Sequence, residues 1–360
     1  MQAAFRNRHD PVTSHPSLGG LVKFLLSRTI WWPTLSVLIV LSASAPSAAL
    51  ADGFGPLPVR NFQAIQQLVL QMPGDRANVV KPGTFDVRLE LAETSSIARD
   101  VTDQAQTTMK FETLRAGLFL RYGVNDRFEV GAEVPVLHRY RGFLEGAIMA
   151  TERATTGLAP ARNALMNVGY AYQVDRAGRT LFSGKEGGTG LGDISFFGKY
   201  QVLKETTVVP ALSFRVGVKA PTGNREQIFG SGHPDAAVGL AMEKTLASRW
   251  IVYANVNGIF PTGHLAGLAL YPVMSGLAAV EYLWSENLSF TAQFDYYSSP
   301  FHGTGTQTLD KGVTESAVGF SYRVARGLLW QVYGVENLDF ITGSAADFTV
   351  STLFTYRFGS

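Results

Sequence analysis

The side chains of this sequence that could do chemistry are four histidines and a larger set of charged residues. The histidines after residue 51 are His138, His233, His264 and His302, and the chain contains no cysteine. No two of them have metal-ligand spacing such as His-x-x-x-His, and the chain has neither a phosphate-binding loop nor a dinucleotide fingerprint. We therefore expect no catalytic residue, no metal and no cofactor, which leaves the charged residues as the first candidates for function.

Strands must position these charges, because apolar residues recur at every second position. In residues 287–298 the apolar positions are Leu288, Phe290, Ala292, Phe294 and Tyr296. Successive side chains of a strand point to opposite faces, so such a segment has one apolar and one polar face. These segments run to ten residues or more, the length at which a tilted strand crosses a bilayer. The predicted fold class is all-β, a transmembrane antiparallel β-barrel.

The composition agrees with this fold class. Charged residues make up 17% of the chain, below the ~25% typical of soluble domains. The mean hydropathy of +0.07 is too low for a bundle of transmembrane helices. A chain with 46% hydrophobic residues is also too apolar to remain disordered.

Twelve strands are expected, or fourteen if a hairpin at 168–182 joins the wall. Their connections alternate strictly between tight turns and longer loops, as in bacterial outer-membrane barrels, whose periplasmic turns are short. A charge introduced at Leu212 or Phe214 should impair assembly, whereas the same change at Ser213 should be tolerated. The predicted strands occupy residues 83–95, 107–122, 126–137, 193–203, 206–219, 236–245, 249–260, 272–284, 287–298, 313–325, 328–340 and 348–358.

Aromatic residues crowd the strand ends where the tight turns lie. Amphipathic rings are expected at the boundaries between lipid and water. The last strand also resembles the C-terminal signal read by the barrel assembly machinery, although Gly359 and Ser360 follow its final Phe. The predicted membrane girdle consists of Tyr122, Phe128, Tyr200, Trp250, Tyr282, Trp284, Trp330, Tyr356 and Phe358.

The first 51 residues have the pattern of a cleaved secretory signal peptide. A basic region is followed by the uncharged run 30–41 and by small residues ending in Ala49-Leu50-Ala51. Cleavage would remove four bases and one acid, which changes the formal net charge from +2 to about −1. A nucleic-acid partner is therefore not expected.

Two segments interrupt the strand pattern. Residues 52–82 precede the first strand and form either a periplasmic segment or a plug in the lumen, in which Arg60, Asn61 and Phe62 would meet inward acids. Residues 138–192 form a long extracellular insertion, with a short helix near 143–155 and the hairpin at 168–182. The barrel proper is expected at 83–358.

Assigning the polar faces inward places nine bases and nine acids in the lumen. A lumen balanced in this way does not select ions by net charge, unlike pores lined by one sign. The charges either pair across a narrow interior and close it, or line opposite walls of a water-filled path. The candidate lumen-lining residues are Arg88, Glu90, Arg115, Arg121, Glu129, Glu133, Lys199, Arg215, Lys219, Glu281, Asp295, Glu315 and Arg323.

Residues 55–63 read GPLPVRNFQ and are followed by Met72-Pro73-Gly74-Asp75. This box resembles a family of uncharacterised Gram-negative proteins, a domain of unknown function expected to form outer-membrane barrels. The similarity runs from about residue 54 to the C-terminus and brings no substrate or catalytic residue. Residues 190–193, Gly-Leu-Gly-Asp, look like an element shared with barrels that resemble uptake proteins for aromatic compounds and fatty acids, although Gly-Asp before a strand is first of all a turn.

The expected function is therefore a passive or weakly selective outer-membrane channel for small solutes, hydrophobic ones among them. One alternative is a closed barrel whose outer loops bind a ligand or a surface. An outer-membrane lipid-modifying enzyme is the third alternative and needs a Ser-His pair on the lipid face. The expected partners are outer-membrane lipid, lipopolysaccharide and, during biogenesis, the barrel assembly machinery.

Overall fold

The computed structural model describes residues 53–338 and 346–359. The predicted signal peptide lies outside these residues. No helix among them is long and apolar enough to cross a membrane. The helices are α1 (Leu144–Ala154), α2 (Pro160–Ala164) and α3 (Gln307–Asp310). The strands are β1 (Phe85–Val101), β2 (Ala105–Asn125), β3 (Phe128–Tyr140), β4 (Ala171–Arg176), β5 (Arg179–Ser183), β6 (Thr189–Leu191), β7 (Ile194–Leu203), β8 (Ala211–Ala220), β9 (Asp235–Ala247), β10 (Trp250–Pro261), β11 (His264–Leu265), β12 (Leu268–Ala269), β13 (Val273–Leu283), β14 (Leu288–Tyr297), β15 (Val313–Ala325), β16 (Leu328–Asn337) and β17 (Phe348–Phe358).

Twelve of these strands form a closed antiparallel barrel. They are β1, β2, β3, β7, β8, β9, β10, β13, β14, β15, β16 and β17, each hydrogen-bonded to the next. The barrel closes where β1 pairs with β17, from Phe85 opposite Phe358 to Ser95 opposite Phe348. The predicted all-β fold with a twelve-stranded barrel is confirmed. We call the end with the short connections the turn end and the opposite end the loop end.

The alternation of the sequence becomes the two faces of the wall. On β8, Phe214, Val216 and Val218 are between 42% and 52% exposed on the outside, while Arg215 and Lys219 are buried on the inside. This arrangement follows from the period of two, because every second side chain must point away from the lumen.

Strand β8 starts later than the predicted 206–219. Residues 204–210 form the connection at the turn end, where the Glu205 carboxylate accepts hydrogen bonds from Thr245 N at 2.8 Å and Lys244 Nζ at 3.1 Å. Pro210 has no N–H to donate to a ladder, so the strand begins after it. The apolar alternation at 206–210 therefore predicted a strand where there is a turn.

Strands β1 and β2 continue beyond the wall at the loop end. Their extension supplies a free edge, on which β4 pairs from Ala105 opposite Arg176 to Lys110 opposite Ala171. The hairpin expected at 168–182 is thus present as β4 and β5 but lies outside the wall, so the strand number stays at twelve.

The insertion packs against the outward face of this extension. The predicted helix near 143–155 is present as α1, and the Glu112 carboxylate accepts hydrogen bonds from the N–H groups of Phe143, Leu144 and Glu145 at 2.8–3.0 Å. These N–H groups have no partner within a helix, and a carboxylate is favourable beside them. Glu112 therefore fastens the insertion to the barrel.

Candidate functional site

Residues 53–84, which we call the inner segment, lie inside the barrel except for 81–83, which are exposed. Near the turn end, the N–H groups of Phe54 and Gly55 donate to the Glu281 carboxylate at 3.1 and 3.3 Å. The chain then reaches the loop end, where Leu68 is buried among loop side chains. It returns to the turn end, where Val80 N donates to Glu129 Oε2 at 2.6 Å. The inner segment therefore runs the length of the lumen twice, as a hairpin-shaped path.

The ascending part of the inner segment is held by polar wall residues. Leu57 N donates to Gln293 Oε1 at 2.9 Å, and Gln293 Nε2 donates to Leu57 O at 3.0 Å. Both Leu57 and Gln293 are buried. This pair of bonds resembles a strand contact, except that the wall contributes a side chain in place of backbone.

A buried cluster of two arginines and two glutamates lies at mid-height. Arg60 of the inner segment contacts Glu133 at 2.7 Å and Glu90 at 3.4 Å, and Arg115 of the wall contacts Glu90 at 2.5 Å. Arg115 also contacts Glu133. All four side chains are at most 5% exposed. The charges balance, so each is compensated in a region where an unpaired charge would be costly.

The neighbours of Arg60 in the sequence box are buried too. Asn61 Oδ1 accepts a hydrogen bond from Gln63 N at 3.0 Å, which holds a local turn of the backbone. The Phe62 side chain packs with Ala92 of β1 and with Ala346. The plug candidates Arg60, Asn61 and Phe62 therefore all lie inside the barrel in the structure.

An apolar cluster, which we call the outer seal, encloses the tip of the inner segment at the loop end. It combines the tip with the extension of β1 and β2, the hairpin β4–β5 and three further loops. Burial raises the pKa of the Tyr172 hydroxyl, because this cluster excludes the water that would solvate a phenolate. Its members are Ala64, Ile65, Leu68, Ala98, Met109, Phe111, Tyr172, Val174, Phe182, Ile228, Leu265, Leu268, Phe301 and Leu309.

Lys219 of β8 lies beneath the outer seal. Its ammonium group contacts Asp193 at 3.0 Å and Asp235 at 2.9 Å, and it donates to Ser231 Oγ at 2.8 Å and to Leu68 O. Asp193 also accepts hydrogen bonds from the N–H groups of Gly223 and Ser231. The Gly-Leu-Gly-Asp element at 190–193 therefore organises a loop junction.

The descending part of the inner segment is anchored by Asp75. Its carboxylate contacts Arg121 at 2.9 Å and Lys199 at 3.0 Å, and its N–H donates to Asn255 Oδ1 at 2.9 Å. Arg76 then pairs with Glu243. The sequence analysis assigned no role to Asp75. The one indication in the sequence was a carboxylate directly after Pro73-Gly74, in a segment that does not fit the strand pattern.

Two small cavities separate the inner segment from one side of the wall. The lower cavity, toward the turn end, has a volume of about 60 Å³. The upper cavity, toward the loop end, has a volume of about 40 Å³. Strands β2, β3, β7 and β8 line both cavities, so the two lie one above the other along the same four strands.

A constriction lies between the two cavities. The inward Gly217 of β8 leaves no room for a side chain, since an added Cβ would fall 2.7 Å from Met72 Sδ and 3.5 Å from Leu70 Cδ2. Phe197 of β7 packs against the apolar cluster that contains Leu70 and Met72. Met72, Leu70 and Phe197 therefore fill the level at which the cavities would otherwise join.

The predicted lumen-lining residues fall into three groups. The first comprises members of the Arg60 cluster and of the Asp75 and Lys219 contacts: Glu90, Arg115, Glu133, Arg121, Glu129, Lys199 and Lys219. The second comprises residues that contact the inner segment through other bonds or rings: Glu281, Arg215 and Arg323. The third comprises Arg88, which donates to Thr355 of the wall, Asp295, which accepts a hydrogen bond from Gln293, and Glu315, which lies opposite Asp295 on the neighbouring strand. Arg127, one of the nine bases that alternation places in the lumen, is instead exposed in the connection between β2 and β3.

The inward position Ser213 is fully buried, and its hydroxyl donates to Ala77 O of the inner segment. A charged side chain has no space there. The expectation that Ser213 tolerates a charge is therefore wrong, because the inner segment occupies the volume that alternation alone leaves empty.

The predicted girdle residues lie along the turn end of the outer wall. The ring centroids of Trp250 and Tyr282 are 4.7 Å apart, and those of Tyr356 and Phe358 are 4.6 Å apart. Trp284 is 62% exposed on the same rim. Tyr122, Phe128, Tyr200 and Trp330 lie on the neighbouring strands.

The chain is similar to solved structures of outer-membrane proteins. An outer-membrane channel from Pseudomonas putida F1 is 14% identical, with a TM-score of 0.54, over 80% of this chain and 99% of that one. The NanC porin is 9% identical, with a TM-score of 0.44, over 76% and 98% of the two chains. The toluene transporter TbuX of Ralstonia pickettii is 10% identical, with a TM-score of 0.38, over 86% and 96%.

No curated protein matches the chain. A family model described as "Protein of unknown function (DUF3187)" matches residues 33–358. The match covers most of the sequence, including the whole barrel and the inner segment. The chain therefore belongs to the DUF3187 family, as the resemblance implied.

Proposed function

We propose that this protein is an outer-membrane channel for a small solute and that the inner segment is a plug that controls passage. The turn end then faces the periplasm and the loop end faces outward, in agreement with the short periplasmic turns of bacterial barrels. The fold shared with the Pseudomonas putida channel supports a channel rather than an enzyme.

The two stacked cavities carry this proposal. They lie along the same four strands, and only the level of Met72, Leu70 and Phe197 divides them. A small displacement of the descending part of the plug away from Gly217 would join them into one path. The path would still meet the outer seal, so passage also requires rearrangement of the loops that form the seal.

The experiment uses the absence of native cysteine. Ala77 of the plug packs with Ala211 and Ala241 of the wall in one buried cluster. A cysteine pair, Ala77→Cys with Ala241→Cys, would tie the plug to the wall when oxidised. The matched control, Ala211→Cys with Ala241→Cys, would tie two neighbouring wall strands and leave the plug free.

We expect solute flux into proteoliposomes to fall when the Ala77–Ala241 pair is oxidised and to return on reduction. The control pair should show flux like that of the unmodified protein under both conditions. The substitution Met72→Ala should raise flux, because it widens the constriction. No flux from the folded Met72→Ala protein, with its loops intact, would reject the channel.

The outer seal favours a second candidate function, a closed barrel whose loops bind a ligand or surface. In that case the plug is permanent architecture, and neither the disulfide nor Met72→Ala would change permeability. The same flux measurement therefore distinguishes the two functions.

We further propose that residues 1–51 are removed as a signal peptide and that the exposed apolar wall contacts outer-membrane lipid. Lipopolysaccharide would meet the loop end, and β17 would present its alternating apolar residues to the barrel assembly machinery. N-terminal sequencing of the mature protein should find Asp52, and Met1 at the terminus would contradict the proposed cleavage.

A further inference from the structure

The lower cavity carries an excess of positive side chains. Its charged lining consists of four basic residues, Arg88, Arg121, Lys199 and Arg215, and two acidic residues, Asp75 and Glu129. The lumen as a whole is close to balance, so this excess is a local feature. It was not visible from the sequence, because Asp75 belongs to the plug and the other residues come from five strands.

Two of the four basic residues form ion pairs with both acidic residues. Lys199 Nζ lies 3.0 Å from Asp75 Oδ2 and 3.0 Å from Glu129 Oε1. Arg121 Nη1 lies 2.9 Å from Asp75 Oδ1 and 3.9 Å from Glu129 Oε1. The two carboxylates are thus each shared between the same two cations.

The other two bases, Arg88 and Arg215, have neutral partners. Arg88 Nε donates to Thr355 Oγ1 at 3.1 Å. Arg215 donates to Asn255 Oδ1 at 3.1 Å and to Pro73 O at 2.8 Å. Across residues 53–338 and 346–359, neither guanidinium has a carboxylate oxygen within 4.0 Å.

We propose that the lower cavity, which Arg88 and Arg215 both line, binds the carboxylate group of a small organic anion. A guanidinium presents N–H donors in a fork that matches a carboxylate, and such charge-assisted bonds strengthen where water is scarce. A bound anion would add a carboxylate to a lining that holds four bases and two acids.

The remaining lining selects for a short hydrocarbon part. Phe119, Phe197 and Pro73 line the same cavity and provide apolar surface. With a volume of about 60 Å³, the cavity is small, which favours an acid with a short hydrocarbon part. Acetate and propionate are therefore the appropriate probes.

As an assignment of the solute class, this inference rests on the proposed channel, but binding is measured without flux. Propionate is titrated into the folded mature protein in detergent micelles, and its binding is followed by saturation-transfer NMR. We expect saturable binding of propionate and none of propionamide, which has the same shape without the charge.

The substitutions Arg88→Gln and Arg215→Gln should each weaken propionate binding about tenfold or more. Arg323→Gln is the matched control, since Arg323 lies on the inner face beside Phe54 and outside the cavity. It should bind propionate like the unmodified protein. If Arg215→Gln fails to fold, Arg88→Gln decides, because its side chain has a single hydrogen-bond partner on the wall.

Equal binding by Arg88→Gln and the unmodified protein would overturn the site, as would equal binding of propionamide. Inorganic phosphate binding in place of propionate would overturn the carboxylate class. Propionate binding without flux through Met72→Ala would leave the site standing and reject the channel. Flux through Met72→Ala without propionate binding to the folded protein would leave the channel standing and reject the site.

Discussion

At the loop end of the barrel, buried apolar side chains from the plug tip and the loops pack against one another. At the turn end, charged side chains surround the plug, and some of them are partly exposed. Leu68, Phe111 and Phe301 are at most 2% exposed in the outer seal. Arg76 and Arg121 at the other end keep 24% and 23% of their side chains exposed. The ends of one lumen are therefore closed by different interactions.

This difference indicates where the plug can begin to move. Apolar packing in a dry cluster is lost only when whole side chains separate, so the seal resists small displacements. Partly exposed ion pairs exchange protein partners for water at little cost. We infer that displacement of the plug starts at the turn end, beside the lower cavity, and that the seal is the last part to yield.

The largest expected effect tests the seal itself. Phe111→Ala removes a buried ring whose centroid is 4.6 Å from that of Tyr172. It should lower the free energy of unfolding by about 3–5 kcal/mol, as measured by urea titration in vesicles. Phe143→Ala, at a side chain 68% exposed in the same outer region, is the control and should change stability little. Equal effects would mean that the seal is not a packed core.

A comparable effect is expected just below the seal, at Arg60. Arg60→Ala leaves Glu90 and Glu133 sharing one arginine in a buried site, and breaking such a pair costs about 3–5 kcal/mol. The plug should then become sensitive to added protease in folded protein. Lys244→Ala is the matched change at the turn end: it removes the contact with Glu205, in which both side chains are partly exposed, and should cost about 0–1 kcal/mol. A larger effect at Lys244 than at Arg60 would reverse the comparison of the two ends.

The wall shared by both ends gives the third prediction. Phe214 is 43% exposed on the outer face of β8, whereas Val208 is 85% exposed in the connection before it. Phe214→Arg should cost less than the about 2–4 kcal/mol of an arginine at the bilayer midplane, because Phe214 lies opposite the girdle residue Tyr200, and Val208→Arg should cost little. Folded fractions on semi-native gels measure both, and equal tolerance would show that the face assignment is wrong.

The smallest effect is expected at the rim of the turn end. Arg357 contacts Asp86 at 2.7 Å, with 41% of its side chain exposed. Arg357→Gln should change the free energy of unfolding by about 0–1 kcal/mol, because solvent screens such pairs, and raising the salt concentration should shrink the difference further. A loss comparable to that of Arg60→Ala would mean that this rim is as dry as the seal.

The strand pattern predicted the wall because a period of two is a local property. Each of the twelve strands overlaps its predicted range, and the outward positions of β8 follow directly from alternation. The same rule was wrong at 206–210, where alternation continued into a turn that starts before Pro210. The rule also predicted β1 and β2 to be shorter than they are, because their extensions at the loop end depend on pairing with the insertion.

The interior was less predictable. Alternation placed Glu90 of β1 in the lumen, and the N-terminal segment offered Arg60 as a plug residue, but no local rule specifies which residues pair across a lumen. Asp75 had no assigned role, although three of its contacts anchor the plug. A charge at Ser213 was expected to be tolerated, because the apolar pattern of a strand does not show which residues occupy the lumen beside its inward face.

By itself, the sequence determined the all-β barrel, an even strand number of twelve or fourteen, and the division of each strand between lipid and lumen. These features follow from the spacing of apolar residues along short stretches of chain. Only the tertiary structure decided that residues 53–84 fill the lumen, that the loops close over its tip, and that Arg88 and Arg215 face a cavity without a carboxylate of their own. Those features depend on contacts between residues far apart in the chain, which a period of two cannot specify.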